Sequence, residues 1–121
     1  MAHRVVIIDD VADIRFLIGA YLKPRGFDVV AEAASPVDGL ALAIEQEVDA
    51  VVMDLSIPGH DSIAAIRTLR ETLPSVRILA VSATVPENDA ARAALDAGAD
   101  AFFDKAAGFD QLGQAVVELL R

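Results

Sequence analysis

Val5-Val6-Ile7-Ile8-Asp9-Asp10 decides the fold: an unbroken β-branched run that stops at two adjacent carboxylates. A run with no polar alternation has no face to give to water, so it reads as a strand covered on both sides. Such strands belong to parallel sheets, in which each strand returns to the next through a crossover helix. The residues that follow supply that helix. From Ala12 to Leu22, the apolar residues Ile14, Leu17, Ile18, Tyr21 and Leu22 recur at helical spacing, and Pro24 with Gly26 ends the pattern.

The same alternation runs outward from there to the end of the chain. Phe27 to Ala31 reads as a second strand, and Ser35-Pro36 as an N-cap followed by proline at the first helical position. The helix after it carries Leu40, Ala43 and Ile44 on one face and ends near Gln46. Ala50 to Met53 is a third strand, and Ser56 to His60 has loop chemistry. Ile63, Ile66, Leu69 and Leu73 form the stripe of a third helix closed by Pro74. Arg77 to Val81 is the fourth strand. Pro86 opens an alanine-rich helix that stops at Gly98, a suitable C′ glycine. Ala101 to Phe103 is the fifth strand, and Asp110 caps a last helix running to the C-terminus. Strand and helix alternate throughout, which predicts a mostly parallel sheet with helices on both faces.

Composition narrows the possible functions. The 121 residues are 55% hydrophobic and 24% charged, enough for one packed core, so residues 1–121 are expected to form a single domain. No apolar run approaches the length of a membrane span, and the N-terminus lacks a signal-peptide pattern, so a cytoplasmic protein without membrane contact is expected. Cysteine is absent, which excludes disulfides, thiol catalysis and zinc–thiolate sites. A formal charge of −9 argues against direct nucleic-acid binding, which needs clustered Lys and Arg. Lys23 and Lys105 are the only lysines.

Ligands of open doubly wound sheets sit outside the carboxyl ends of the strands, where strand order reverses. Strand one ends in Asp9-Asp10, strand three in Asp54, strand four in Ser82 and strand five in Asp104-Lys105; strand two offers only Glu32. In the order 2-1-3-4-5, strands one and three are neighbours, so Asp9, Asp10 and Asp54 converge, with Ser82 and Lys105 beside them. Any one Asp after a strand is ordinarily a turn or cap residue; the whole set at one sheet edge is not. Three crowded carboxylates repel, and a divalent cation resolves the repulsion. Oxygen donors without Cys or His favour Mg²⁺, which keeps positions open for phosphate oxygens. A lysine and a hydroxyl beside that ion make an anion site whose natural guest is a phosphoryl group.

These residues resemble the receiver domain of bacterial two-component response regulators. The motifs that carry the likeness are Val6-Ile-Ile-Asp-Asp10, Val51-Val-Met-Asp-Leu-Ser-Ile-Pro-Gly59, Ile78-Leu-Ala-Val-Ser-Ala83 and Gly98-Ala-Asp-Ala-Phe-Phe-Asp-Lys105. The resemblance implies a flavodoxin-like (βα)5 fold with a five-stranded parallel sheet. The order 2-1-3-4-5 comes with it, since receivers are among the known examples of that order. It implies that Asp54 takes a phosphoryl group from a phosphohistidine on a sensor histidine kinase or phosphotransfer protein. Asp9, Asp10, Asp54 and the backbone carbonyl of Ser56 would hold Mg²⁺. Lys105, the Ser82 hydroxyl and the Ala83 N–H would meet the phosphoryl oxygens. Inward movement of Ser82 would let Phe102 fill the vacated space and reset the surface of helix four, strand five and helix five. An ordinary core phenylalanine remains the other reading of Phe102.

The tail Phe103-Asp-Lys-Ala-Ala-Gly108 looks like the subgroup often joined to a C-terminal helix-turn-helix domain, so a DNA-binding output domain outside this chain is one expected partner. A phosphorylation-linked homodimer is another. A stand-alone receiver and a domain of a longer regulator both stay open.

The chain also departs from the family. Ala106 stands where proline often follows the lysine, and a cis bond before a non-proline residue costs about 2.5–4 kcal/mol, so that geometry is not assumed. Ser62 replaces a common glycine and could cap helix three. By resemblance, Ser56 and Thr84 tune hydrolysis of the aspartyl phosphate. His3 and His60 read as solvated residues, and Asp13 as a helix-dipole residue. Two other functions compete. A receiver-like interaction module that is never phosphorylated would be expected to have lost part of the acidic set. An aspartate-nucleophile phosphatase would carry a second acid two residues after the first-strand nucleophile, and Asp9-Asp10-Val11 lacks that spacing.

Overall fold

The computed structural model describes residues 2–82 and 88–121. Five strands, β1 (Arg4–Ile8), β2 (Asp28–Ala33), β3 (Ala50–Asp54), β4 (Arg77–Ser82) and β5 (Ala101–Asp104), form one sheet. All pairings are parallel and the order is β2-β1-β3-β4-β5, as expected. Between and after the strands lie α1 (Ala12–Leu22), α2 (Pro36–Glu45), α3 (Ser62–Thr72), α4 (Asn88–Ala97) and α5 (Phe109–Leu119). Pro86, the expected start of the fourth helix, lies outside the described residues.

Alternation along each central strand divides the core in two. Val6, Ile8, Val51, Met53, Ile78 and Ala80 face Ala43 of α2, Ile66 and Leu69 of α3, and Ala94 and Ala97 of α4. Val5, Ile7, Val52, Leu79 and Val81 face Ile18 and Leu22 of α1 and Leu112 and Val116 of α5. Both faces of the β-branched run are therefore covered. Each such buried side chain contributes about 1.5–3 kcal/mol relative to leaving it in water. No helix among the described residues is long and apolar enough to cross a membrane.

Local chemistry sets the ends of the helices. The Ser35 hydroxyl accepts the Asp38 N–H at 3.2 Å and caps α2, with Pro36 at its first position. Gly39 of α2 lies so close to β1 that a Cβ there would strike Ile8. Two expected caps are corrected. Asp61, not Ser62, caps α3, its Oδ1 accepting the Ala64 N–H at 3.0 Å. Gly108, not Asp110, is the N-cap residue of α5; Asp110 sits in the first turn and pairs with Arg25 at 2.7 Å. β2 both begins and ends later than its expected span and excludes Phe27, whose ring packs into the core beneath α1 and α5.

One arginine ties together the end of the molecule away from the carboxyl ends of the strands. From α3, Arg70 donates to the carbonyls of Pro74 (2.9 Å), Val76 (2.7 Å) and Gly98 (2.8 and 3.0 Å), and to Asp100 Oδ2 (2.7 Å). These bonds use the full set of guanidinium donors. Gly98, with φ +125°, leaves room for the Arg70 side chain where a Cβ would come within 2.8 Å of it.

Candidate functional site

Past the last residues of β1 and β3, the chain can no longer satisfy its backbone through the sheet alone, and polar side chains collect there. Asp9 follows β1 and is 1% exposed; Asp54 ends β3 and is 3% exposed. Asp10, next in the chain, is exposed. One carboxylate oxygen from each of the three lies within 4.8 Å of the others. Lys105 enters from the residue after β5, its Nζ 2.6 Å from Asp9 Oδ2 and 3.6 Å from Asp54 Oδ1. Its side chain is only 13% exposed, so this pairing is shielded from water.

The loop after β3 folds back on Asp54. The Ser56 N–H donates to Asp54 Oδ1 at 3.0 Å, and the Ser62 hydroxyl donates to the Asp54 carbonyl at 2.9 Å. The Ser56 and Ser82 hydroxyls are 3.3 Å apart, which brings β4 to the same spot. Burial pushes the Asp54 carboxyl above its ordinary value of 3.8; the Ser56 N–H and the Lys105 ammonium oppose the shift, and the Asp9 and Asp10 charges add to it.

Most of the expected set thus comes together: Asp9, Asp10, Asp54, Ser56, Ser82 and Lys105. Ala83 and Thr84 lie outside the described residues. Phe102 is partly buried on β5 against the core beneath α2, α3 and α4. Asp104 is not part of the cluster; its Oδ1 accepts the Ala106 N–H at 2.9 Å and caps a 3-10 turn over Lys105–Ala107. A proline at position 106 could not make that bond. His60 is exposed, and His3 is 3.9 Å from Asp49 at the other end of β1. A cavity of about 430 Å³ beside His3, Val48, Leu73 and Val76 is at that same distant end.

The residue pattern did not point to Arg15. Its Nη1 donates to the Asp9 carbonyl at 2.6 Å and its Nε to Glu32 at 3.0 Å. The one signal for it is a cation near the start of a helix, where the dipole disfavours it. Ser62 stands out in the sequence, but as a cap and not as a donor to Asp54.

The donor set fits a hard divalent cation: carboxylate oxygens alone, two of them buried, with one ammonium against three negative charges. A parallel doubly wound sheet with this crevice where strand order reverses places the molecule among α/β proteins that bind ligands at the switch point of the sheet. The chain belongs to the response regulator receiver domain family, whose model matches residues 5–117.

Among curated relatives, it is 33% identical over 120 residues to the chemotaxis protein CheY of Bacillus subtilis (strain 168), covering 99% of both chains. It is 30% identical over 117 residues to the response regulator protein VraR of Staphylococcus aureus, covering 96% of this chain and 56% of that one. The chain therefore spans little more than half the length of VraR. Among solved structures, a LuxR-family two-component response regulator from Aurantimonas sp. SI85-9A1 matches with TM-score 0.86 and 31% identity, over 99% of this chain and 86% of that one. The CheX-CheY-BeF3-Mg+2 complex from Borrelia burgdorferi matches with TM-score 0.89 at 21% identity, over 98% and 90% of the two chains, a likeness of fold.

Proposed function

We propose that this receiver, acting as one domain over residues 1–121, accepts a phosphoryl group on Asp54 and serves as a phosphorylation switch. One observation carries the reading: Lys105 reaches both Asp9 and Asp54 within a cluster of three carboxylates, so nothing in the acidic set is missing or turned away. Asp9, Asp10, Asp54 and the Ser56 carbonyl would hold Mg²⁺. When bound, that ion supplies charge neutralisation and orientation for an incoming phosphoryl group.

This chain's own groups do the rest. An Asp54 oxygen displaces a histidine nitrogen at phosphorus, the P–N bond breaking as the P–O bond forms, and the freed imidazole takes up a proton from water. The Lys105 ammonium offsets negative charge at the phosphoryl oxygens. The Ser82 hydroxyl and the Ala83 N–H donate to those oxygens. Engagement of Ser82 shifts the surface of α4, β5 and α5, with Phe102 following it inward; the shift can be only as large as the difference in phosphoryl stabilisation between the two states. The chain does this chemistry on itself and turns over no separate substrate. The partners in this reading are a histidine kinase or phosphotransfer protein in the cytoplasm, and an output domain, a target protein or a second copy.

Intact-mass spectrometry after incubation with a small phosphodonor tests it. The expected result is one phosphoryl adduct that requires Mg²⁺ and is absent in Asp54→Asn. Wild-type protein that neither binds Mg²⁺ nor gains an adduct overturns the reading in favour of an interaction module that works by binding alone.

A further inference from the structure

Asp9 is the most fully bonded residue of the site, and one of its bonds is made by a side chain that has no other place in the chemistry. Its N–H donates to the Ala33 carbonyl at 3.0 Å. Its Oδ1 accepts the Val11 N–H at 2.9 Å, and its Oδ2 accepts Lys105 at 2.6 Å. The remaining polar atom is the backbone carbonyl. β1 pairing with β2, the neighbour that the Asp9 N–H already reaches, ends at Ile8 and Ala33, so the carbonyl of this buried residue has no strand partner there and must find one elsewhere. Arg15 supplies it from α1, Nη1 to oxygen at 2.6 Å.

Arg15 is an unfavourable choice for its position. It is the fourth residue of α1, towards the positive end of the helix dipole, with its side chain 17% exposed. Two acceptors compensate for that placement. Glu32 on β2 takes the Nε at 3.0 Å, which turns the guanidinium so that Nη1 faces the Asp9 carbonyl. The planar fork matters, because one rigid group must meet a carboxylate on one side and a carbonyl on the other.

We infer that Arg15 and Glu32 are a positioning pair for the cation site, holding the backbone of Asp9 so that its carboxylate and that of Asp10 stay aimed at the crevice. The inference rests on the metal reading of the site given above. Charge alone would make Arg15 oppose a cation, whereas positioning makes it help, so the two effects predict opposite signs.

Isothermal titration of Mg²⁺ into the whole folded chain separates them, using wild type, Arg15→Lys, Arg15→Met and Glu32→Gln, each checked for a cooperative melt. Removing partners that orient metal ligands typically costs 10–100-fold in affinity. Because this pair acts through a backbone carbonyl, each variant is expected at the low end, about tenfold weaker. Weaker binding by Arg15→Lys is the decisive result, since that variant keeps the charge and gives up only the fork. Unchanged affinity in Arg15→Lys, or tighter binding in Arg15→Met, overturns the pair while leaving the metal site standing. No binding by wild type overturns the metal site and the pair with it.

Discussion

Asp54 is buried, faces two other carboxylates, and has its pKa raised mainly by the loss of water around it. A raised folded-state pKa means that the folded chain holds this proton more tightly than the unfolded chain. The contribution of Asp54 to stability is therefore most favourable at low pH and falls as pH rises from 3.8 through the folded-state value. Asp54→Asn removes that fall. The substitution gives up only the longer of the two Lys105 pairings, at 3.6 Å, while the 2.6 Å bond to Asp9 survives, so no longer burying a charge, together with relief of the repulsion from Asp9 and Asp10, outweighs the weaker pairing. We expect Asp54→Asn to stabilise the metal-free protein at neutral pH by on the order of 1 kcal/mol, about 4 °C in Tm. Thermal melts in chelator from acid to neutral pH should show the gap opening with pH and then levelling; a constant gap would contradict the assignment. The acids and Lys105 were legible in the sequence because each ends a strand. The parts that Arg15 and Ser62 play at the site were not, because each acts there on a backbone carbonyl, and a carbonyl left over at a sheet edge leaves no mark in the residue pattern.

At the scale of elements, α2 shows two local preferences in conflict. Gly39 within a helix costs about 1 kcal/mol relative to alanine in propensity. Yet a methyl group there would strike Ile8, which is fully buried and held from both sides. Overpacking a site that cannot yield costs about 1–3 kcal/mol and wins over propensity. Gly39→Ala should therefore lower stability by a net amount of up to about 2 kcal/mol, read as a fall in the urea midpoint; a rise would mean that α2 can slide outward on β1. The elements themselves were readable because β-branched runs and helical stripes differ in period. Their ends were less so. The sequence offered Ser62 as a cap for α3 and passed over Asp61 beside it; the Ser62 hydroxyl is taken by the Asp54 carbonyl, and Asp61 meets the first-turn N–H instead. The start of α5 misled in a similar way: Gly108 turns the chain with φ +99°, which frees Asp110 to meet Arg25.

Across the whole molecule, the two ends of the sheet are built differently. The carboxyl ends of the strands carry crowded like charges and loops that bend back on one aspartate. The opposite end is fastened by Arg70, which joins the end of α3, the start of β4, the end of α4 and the start of β5. None of this could be seen in the sequence, where Arg70 reads as one more polar residue on a helix. Its two most distant partners are 28 and 30 residues further along, so the bonds cannot form until β4 and α4 have already taken their places. That makes them late arrivals on the folding route, when most chain entropy has been lost. Arg70→Met should hasten unfolding several-fold and leave the refolding rate nearly unchanged, which stopped-flow chevrons would read directly. In kinetic terms the arginine is a clasp on the completed fold: it has little part in how the chain finds its shape and a large part in how long that shape lasts.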